Sequence, residues 1–128
     1  MILSYFIIAI ITSLLTFNLS RKFNSNPVRS SSFITLLGLS IMRLCAGQQI
    51  FEVTAIIFGS SFIGMSSSMK FSNRGIIIAS CLFVLIYLFF KTKLIGLGGS
   101  LGFSAFCAMV VLSFIFFSYT KLRNYIYQ

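Results

Sequence analysis

The chain has 128 residues, 58% of them hydrophobic and 9% charged, with a mean hydropathy of +1.02. A soluble domain carries about a quarter charged residues, and surface-to-volume scaling leaves one of this size no way to hide so much apolar surface. Ten Lys and Arg stand against one acidic residue, for a net charge of +9, but they fall singly or in pairs between apolar runs. That pattern suits helix ends at a membrane surface, and no nucleic acid is expected as a partner.

The first span is Ile2 to Asn18. No A-x-A-like site follows it, so it reads as a retained helix with Arg21 and Lys22 at its end. Phe23 to Ser32 is a polar loop. Within it, Asn26-Pro27 marks a helix start, because Asn caps well and proline suits the first helical turn.

Residues 33–65 form the centre of the chain. Two apolar limbs, one running to about Leu44 and one from Ile50 to Met65, flank a short polar knot at Cys45-Ala46-Gly47-Gln48-Gln49. Arg43 stands before the knot and Glu52, the single acid, after it. Ser66 to Arg74 is a second polar loop, and Gly75 to Phe90 a uniformly apolar span. Lys91 to Gly99 is a basic, glycine-rich turn, and Leu101 to Ser118 the last span. The tail, Tyr119 to Gln128, mixes aromatic and basic residues as headgroup regions do.

The predicted fold is therefore a single all-α integral membrane domain over residues 1–128, with about five short transmembrane helices. The alternative is three spans plus a re-entrant helical hairpin at 33–65. Five spans divide the Lys and Arg seven against three between the two sides. Three spans and a hairpin divide them seven against two, with Arg43 set aside. One long span through 33–65 leaves almost no bias. The positive-inside rule thus favours the first two layouts, both with the N-terminus out and the C-terminus in. Five spans are preferred because re-entrant backbone needs special protection. The expected location is a bacterial inner membrane or an organellar inner membrane.

Glu52 and Arg43 are the first candidate site. A charge inside a bilayer is costly and marks function by default. In the sharper reading Glu52 takes up a proton or cation beside Arg43; in the plainer one the two form a structural pair or snorkel to the surface. The second candidate is a set of small residues at helix-packing spacing. Ser60 and Gly64 stand four apart, as do Gly98 and Gly102, with Ser104 and Ala108 following. Such stripes let helices approach closely in lipid. They fit intramolecular packing of the third and last spans, an oligomer interface, or a polar path lined by Ser60, Ser61 and Ser104.

Catalysis lacks its parts. There is no histidine and no aspartate, so triads, paired carboxylates and metal-activated water are excluded. Cys45, Cys81 and Cys107 show no CxxC spacing, so neither a metal nor another cofactor is expected. The Gly96-Leu97-Gly98-Gly99-Ser100 turn matches no nucleotide-binding pattern.

One local pattern resembles a known family. Asn26-Pro27-Val28, a helix, and then Phe51-Glu52 opening another are similar over about 40 residues to the start of a small five-span membrane subunit of respiratory complex I. That family's glycine-centred aromatic run in the third span is not matched by residues 56–65. The resemblance implies an accessory role within a larger complex. Two functions are therefore carried forward. One is a homo-oligomeric channel or transporter for an ion or small solute. The other is a non-catalytic accessory or immunity-type subunit packed against a larger membrane protein.

Overall fold

The computed structural model describes residues 2–22, 26–44, 50–66, 71–90 and 100–126, with backbone alone at 50, 100 and 119–126. The described residues form five α-helices: α1 (Ile2–Lys22), α2 (Pro27–Leu44), α3 (Ile50–Gly64), α4 (Asn73–Phe90) and α5 (Ser100–Ile126). The knot at 45–49 and the turn at 91–99 lie outside the described residues.

The helix bounds follow the local chemistry. Asn26 occupies the cap position of α2: its carbonyl accepts from Arg29 N at 2.9 Å, and Pro27 opens the first turn. α1 continues through Arg21 and Lys22, whose charges suit the carbonyl end of a helix. α5 runs well past Ser118, because nothing between there and Ile126 breaks a helix. Its 27 residues span about 40 Å, more than a hydrocarbon layer of about 30 Å.

Pairwise contacts fix the topology. Tyr5 meets Glu52, and Ser13 and Thr16 meet Gly64, so α1 and α3 run parallel. Ser31 and Thr35 meet Ser61, and Gly38 faces Ile57, so α2 is antiparallel to α3. Ser13 meets Ser80 while Gly59 faces Phe83, which turns α4 against α1 and α3. Phe71 meets Phe116 and Gly75 faces Leu112, so α5 is antiparallel to α4. Each helix reverses the one before it.

The shortest helix holds the centre. α3 has 15 residues and touches all four others. Its apolar residues are spread around the circumference, as suits a helix with several neighbours. α2 and α5 are peripheral, each touching two helices.

The burial pattern is inverted relative to a water-soluble fold. The core does contain Phe17, Ile56, Ile63, Ile76, Phe83 and Leu112. Yet Thr16, Ser13, Ser60, Ser61 and Ser80 are also fully buried, while Leu3, Ile7, Ile11, Phe89, Phe103 and Phe114 are exposed. α2 is the extreme case. It buries only Ser30, Ser31 and Thr35, and turns Val28, Phe33, Leu36, Leu37 and Ile41 outward. Water would reverse both faces.

α1, the apolar part of α5 (Leu101–Ser118) and α4 are long and apolar enough to cross a membrane. α3 is apolar but shorter, and the serines and arginines of α2 lower its hydropathy.

Candidate functional site

The alternation of helices sorts the charges. Arg21 and Lys22 end α1, Arg29 lies in the first turn of α2, and Arg74 in the first turn of α4. Given the directions above, all four fall at one end of the bundle. α5 runs toward that same end and carries Lys121 and Arg123 in its last turns. Arg43, in the last turn of α2, and Glu52, in the first turn of α3, fall at the other end. Lys70, Lys91 and Lys93 lie outside the described residues.

The acid end is organised by Tyr5. Its hydroxyl donates to Glu52 Oε2 at 2.7 Å, joining α1 to α3. Both residues sit about one turn into their helices, so the contact lies near the rim of the bundle and not at mid-height. Glu52 is half-buried and Arg43 exposed. Among the described residues no ion pair joins Arg43 to Glu52. Tyr5 is a residue that sequence reasoning passed over, since a tyrosine near an N-terminus looks like an ordinary interfacial aromatic.

The hydroxyls gather halfway along the bundle. Ser61 accepts from Ser31 at 3.0 Å and from Thr35 at 3.2 Å, which ties α2 to α3. Its own hydroxyl donates to Phe58 O at 2.7 Å. Ser13 and Ser80 share a 2.6 Å bond that ties α1 to α4. Ser60 donates to Ile57 O and Ser104 to Leu101 O, and both are buried. Of the three serines expected along a polar path, Ser61 thus faces α2, and the hydroxyls of Ser60 and Ser104 turn back to their own helices. Ser13, Ser31, Thr35 and Ser80 were the missed partners. Their signal was present as hydroxyl residues at helical spacing within apolar runs, Thr12-Ser13-Thr16 and Ser31-Thr35.

Thr54 Oγ1 is the exception: it is buried and has no hydrogen-bond partner among the described residues. By helical spacing it lies on the same face of α3 as Ile57 and Ser61, toward α2.

The small residues divide into two kinds. A Cβ on Gly64 would stand 2.5 Å from Thr16 Cβ and 2.6 Å from Ser13 O, so this glycine lets α1 approach α3. A Cβ on Gly102 would meet nothing within 4 Å. Ala108 is fully buried, and Gly98 lies outside the described residues. Instead of closing a contact, Gly102 borders a groove with Phe62, Ala105, Phe106 and Met109.

Among the described residues no three His, Cys, Asp or Glu side chains come together as a metal site would need. Cys81 and Cys107 are half-buried free thiols. No family model, curated protein or solved structure matches this chain, so its function must be argued from the geometry above.

Proposed function

We propose that this is an integral membrane protein whose five helices all cross the bilayer. Its role in this reading is that of a non-catalytic accessory subunit, held against a larger membrane protein through the outer ridge of α5. The crossing of α2 and α3 is supported by their reach. Glu52, near the start of α3, stands level with Tyr5, close to the start of α1, so the α2–α3 pair reaches toward that end of the bundle. A re-entrant hairpin would stop short. α2 also presents to its surroundings the apolar face that lipid accepts. With the cationic end placed in the cytoplasm or organelle matrix, the N-terminus is out and the C-terminus in. The membrane is a bacterial inner membrane or an organellar inner membrane.

The observation that carries the subunit role is the direction of the polar side chains. A path between protomers needs polar groups on the outer faces. Ser60, Ser61 and Ser104 are buried inside one chain. α5 turns the apolar side chains Phe103, Phe114 and Phe117 outward, where an apolar helix of a partner can lie against them. Native mass spectrometry of protein extracted from its own membrane tests this. The expected species is one copy bound to a larger membrane protein. A homo-oligomer without a partner contradicts the reading.

A second reading, a homo-oligomeric channel or transporter for an ion or small solute, is favoured by Glu52. A carboxylate bonded to a tyrosine of a neighbouring helix, in the one acidic residue of the sequence, is a ready site for a proton or cation. Reconstituted protein that passes ions, and loses this with Glu52→Gln, supports transport. Unchanged flux in that variant removes Glu52 from it.

A further inference from the structure

Two hollows open beside α5, one against Phe62 near the end of α3 and one beyond that end, against Ser66 and Phe71. The hollows, of about 340 and 240 Å³, share Phe106 and Met109 and so form one groove. It begins near mid-height at Phe62 and Gly102 and ends at Ser66, Phe71, Ser113 and Phe114. Its polarity is graded. The Gly102 end is wholly apolar, and hydroxyls line only the other end. That other end opens toward the cationic end of the bundle. Arg74 stands three residues beyond Phe71 at the start of α4, and is exposed. α5 continues past Phe114 to Lys121 and Arg123.

The one acidic side chain lies at the opposite end of the bundle from these cations. A cation at a lipid–water boundary attracts anionic headgroups. An apolar channel that ends beside a cation suits an acyl chain bearing a negatively charged headgroup.

We propose that the α3–α5 groove binds one anionic phospholipid. An acyl chain lies between Phe62 and Met109, and the phosphate sits at the Ser66–Ser113 mouth within reach of Arg74. Met109 suits such a site, because a flexible thioether adapts to an irregular ligand. Ser66, which donates to Ile63 O at 2.6 Å and touches Met109 Sδ at 3.5 Å, keeps lone pairs but no further proton for a phosphate. Charge recognition therefore falls to Arg74. The inference rests on the membrane placement above and not on the subunit role.

The open space at Gly102 supplies the test. A Cβ there meets nothing within 4 Å, so a larger side chain has room to grow into the groove that Gly102 lines. Full-length protein is placed in nanodiscs of equal phosphatidylglycerol and phosphatidylcholine and released for native mass spectrometry. One retained phosphatidylglycerol per chain is expected. Gly102→Leu abolishes it while helical circular dichroism is unchanged. Arg74→Gln reduces it about fivefold, the loss of one cation near the surface, and Arg43→Gln at the opposite end leaves it intact. Equal retention of both lipids, or full retention in Gly102→Leu, overturns the proposal. So does displacement by glycerol phosphate, which marks a bare phosphate site, or disulfide capture of a second copy through Gly102→Cys. A chain recovered free of membrane overturns the placement and the site together. A membrane-extracted chain without the adduct overturns the site alone.

Discussion

α3 has two unlike sides. Toward α1, α2 and α4 it is in tight contact: a Cβ on Gly64, on Gly59 or on the facing Gly38 would fall within 3 Å of a neighbouring atom. Toward α5 the seam is loose, and Gly102 has room to spare. Hydroxyl bonds accompany the tight side, through Ser31, Thr35 and Ser61, and apolar hollows accompany the loose side. The difference teaches that glycine has two uses here. On the first side it permits backbones to touch, as helix association in lipid requires. On the second it leaves space that something other than this chain can fill.

The contrast breaks most sharply at the glycines themselves. Gly64→Leu must push α1 away from α3, since the obstacles include the carbonyl of Ser13 as well as a side chain. The expected cost exceeds the 1–3 kcal/mol typical of overpacking, at about 4 kcal/mol. It reads as a loss of folded protein on thermal or denaturant unfolding in detergent. Gly102→Ala should instead stabilise by about 0.5–1 kcal/mol, because alanine loses less backbone entropy in a helix. Equal effects at the two positions would erase the distinction between the sides.

Gly59→Ala is the next test. Its Cβ would lie 2.3 Å from Phe83 Cζ, the end of a side chain and not a backbone atom. A loss of about 2 kcal/mol is expected, with about half regained when Phe83→Leu is added. Simple additivity in that double-mutant cycle would show that the two residues are not in contact.

Ser61→Ala sharpens the comparison more gently. It removes the acceptor shared by Ser31 and Thr35, yet hydroxyl bonds between helices in lipid average only about 0.6 kcal/mol and reach about 1.7. A loss of about 1 kcal/mol is expected in the same unfolding assay. Ser104→Ala, whose bond stays within α5, should cost less than half of that.

Much of this architecture was legible in the sequence. Length and hydropathy gave the helices, and Asn26-Pro27 gave the start of α2 to the residue. Because the helices alternate in direction, Arg21, Lys22, Arg29 and Arg74 fall at one end of the bundle and Arg43 at the other, while Lys70, Lys91 and Lys93 lie outside the described residues. The last apolar span, Leu101–Ser118, was legible too; the helix that carries it runs on to Ile126, because hydropathy falls at Tyr119 while helix propensity does not. The site was less legible. Gly64 and Gly102 look alike as small residues at a spacing of four, and only the neighbours distinguish them. The contact between Tyr5 and Glu52 joins residues 47 apart through a parallel pair of helices, which no local pattern encodes.

In the proposed topology the α2–α3 pair passes fully through the bilayer, with Arg43 at the opposite face from Lys22 and Arg74. Single cysteines at positions 22, 43 and 74, in a background where Cys45, Cys81 and Cys107 are serine, test this directly. In sealed vesicles of known sidedness, a membrane-impermeant thiol reagent should label 22 and 74 from one face and 43 from the other. Labelling of 43 from the same face as 22 and 74, or its protection from both, would contradict the account.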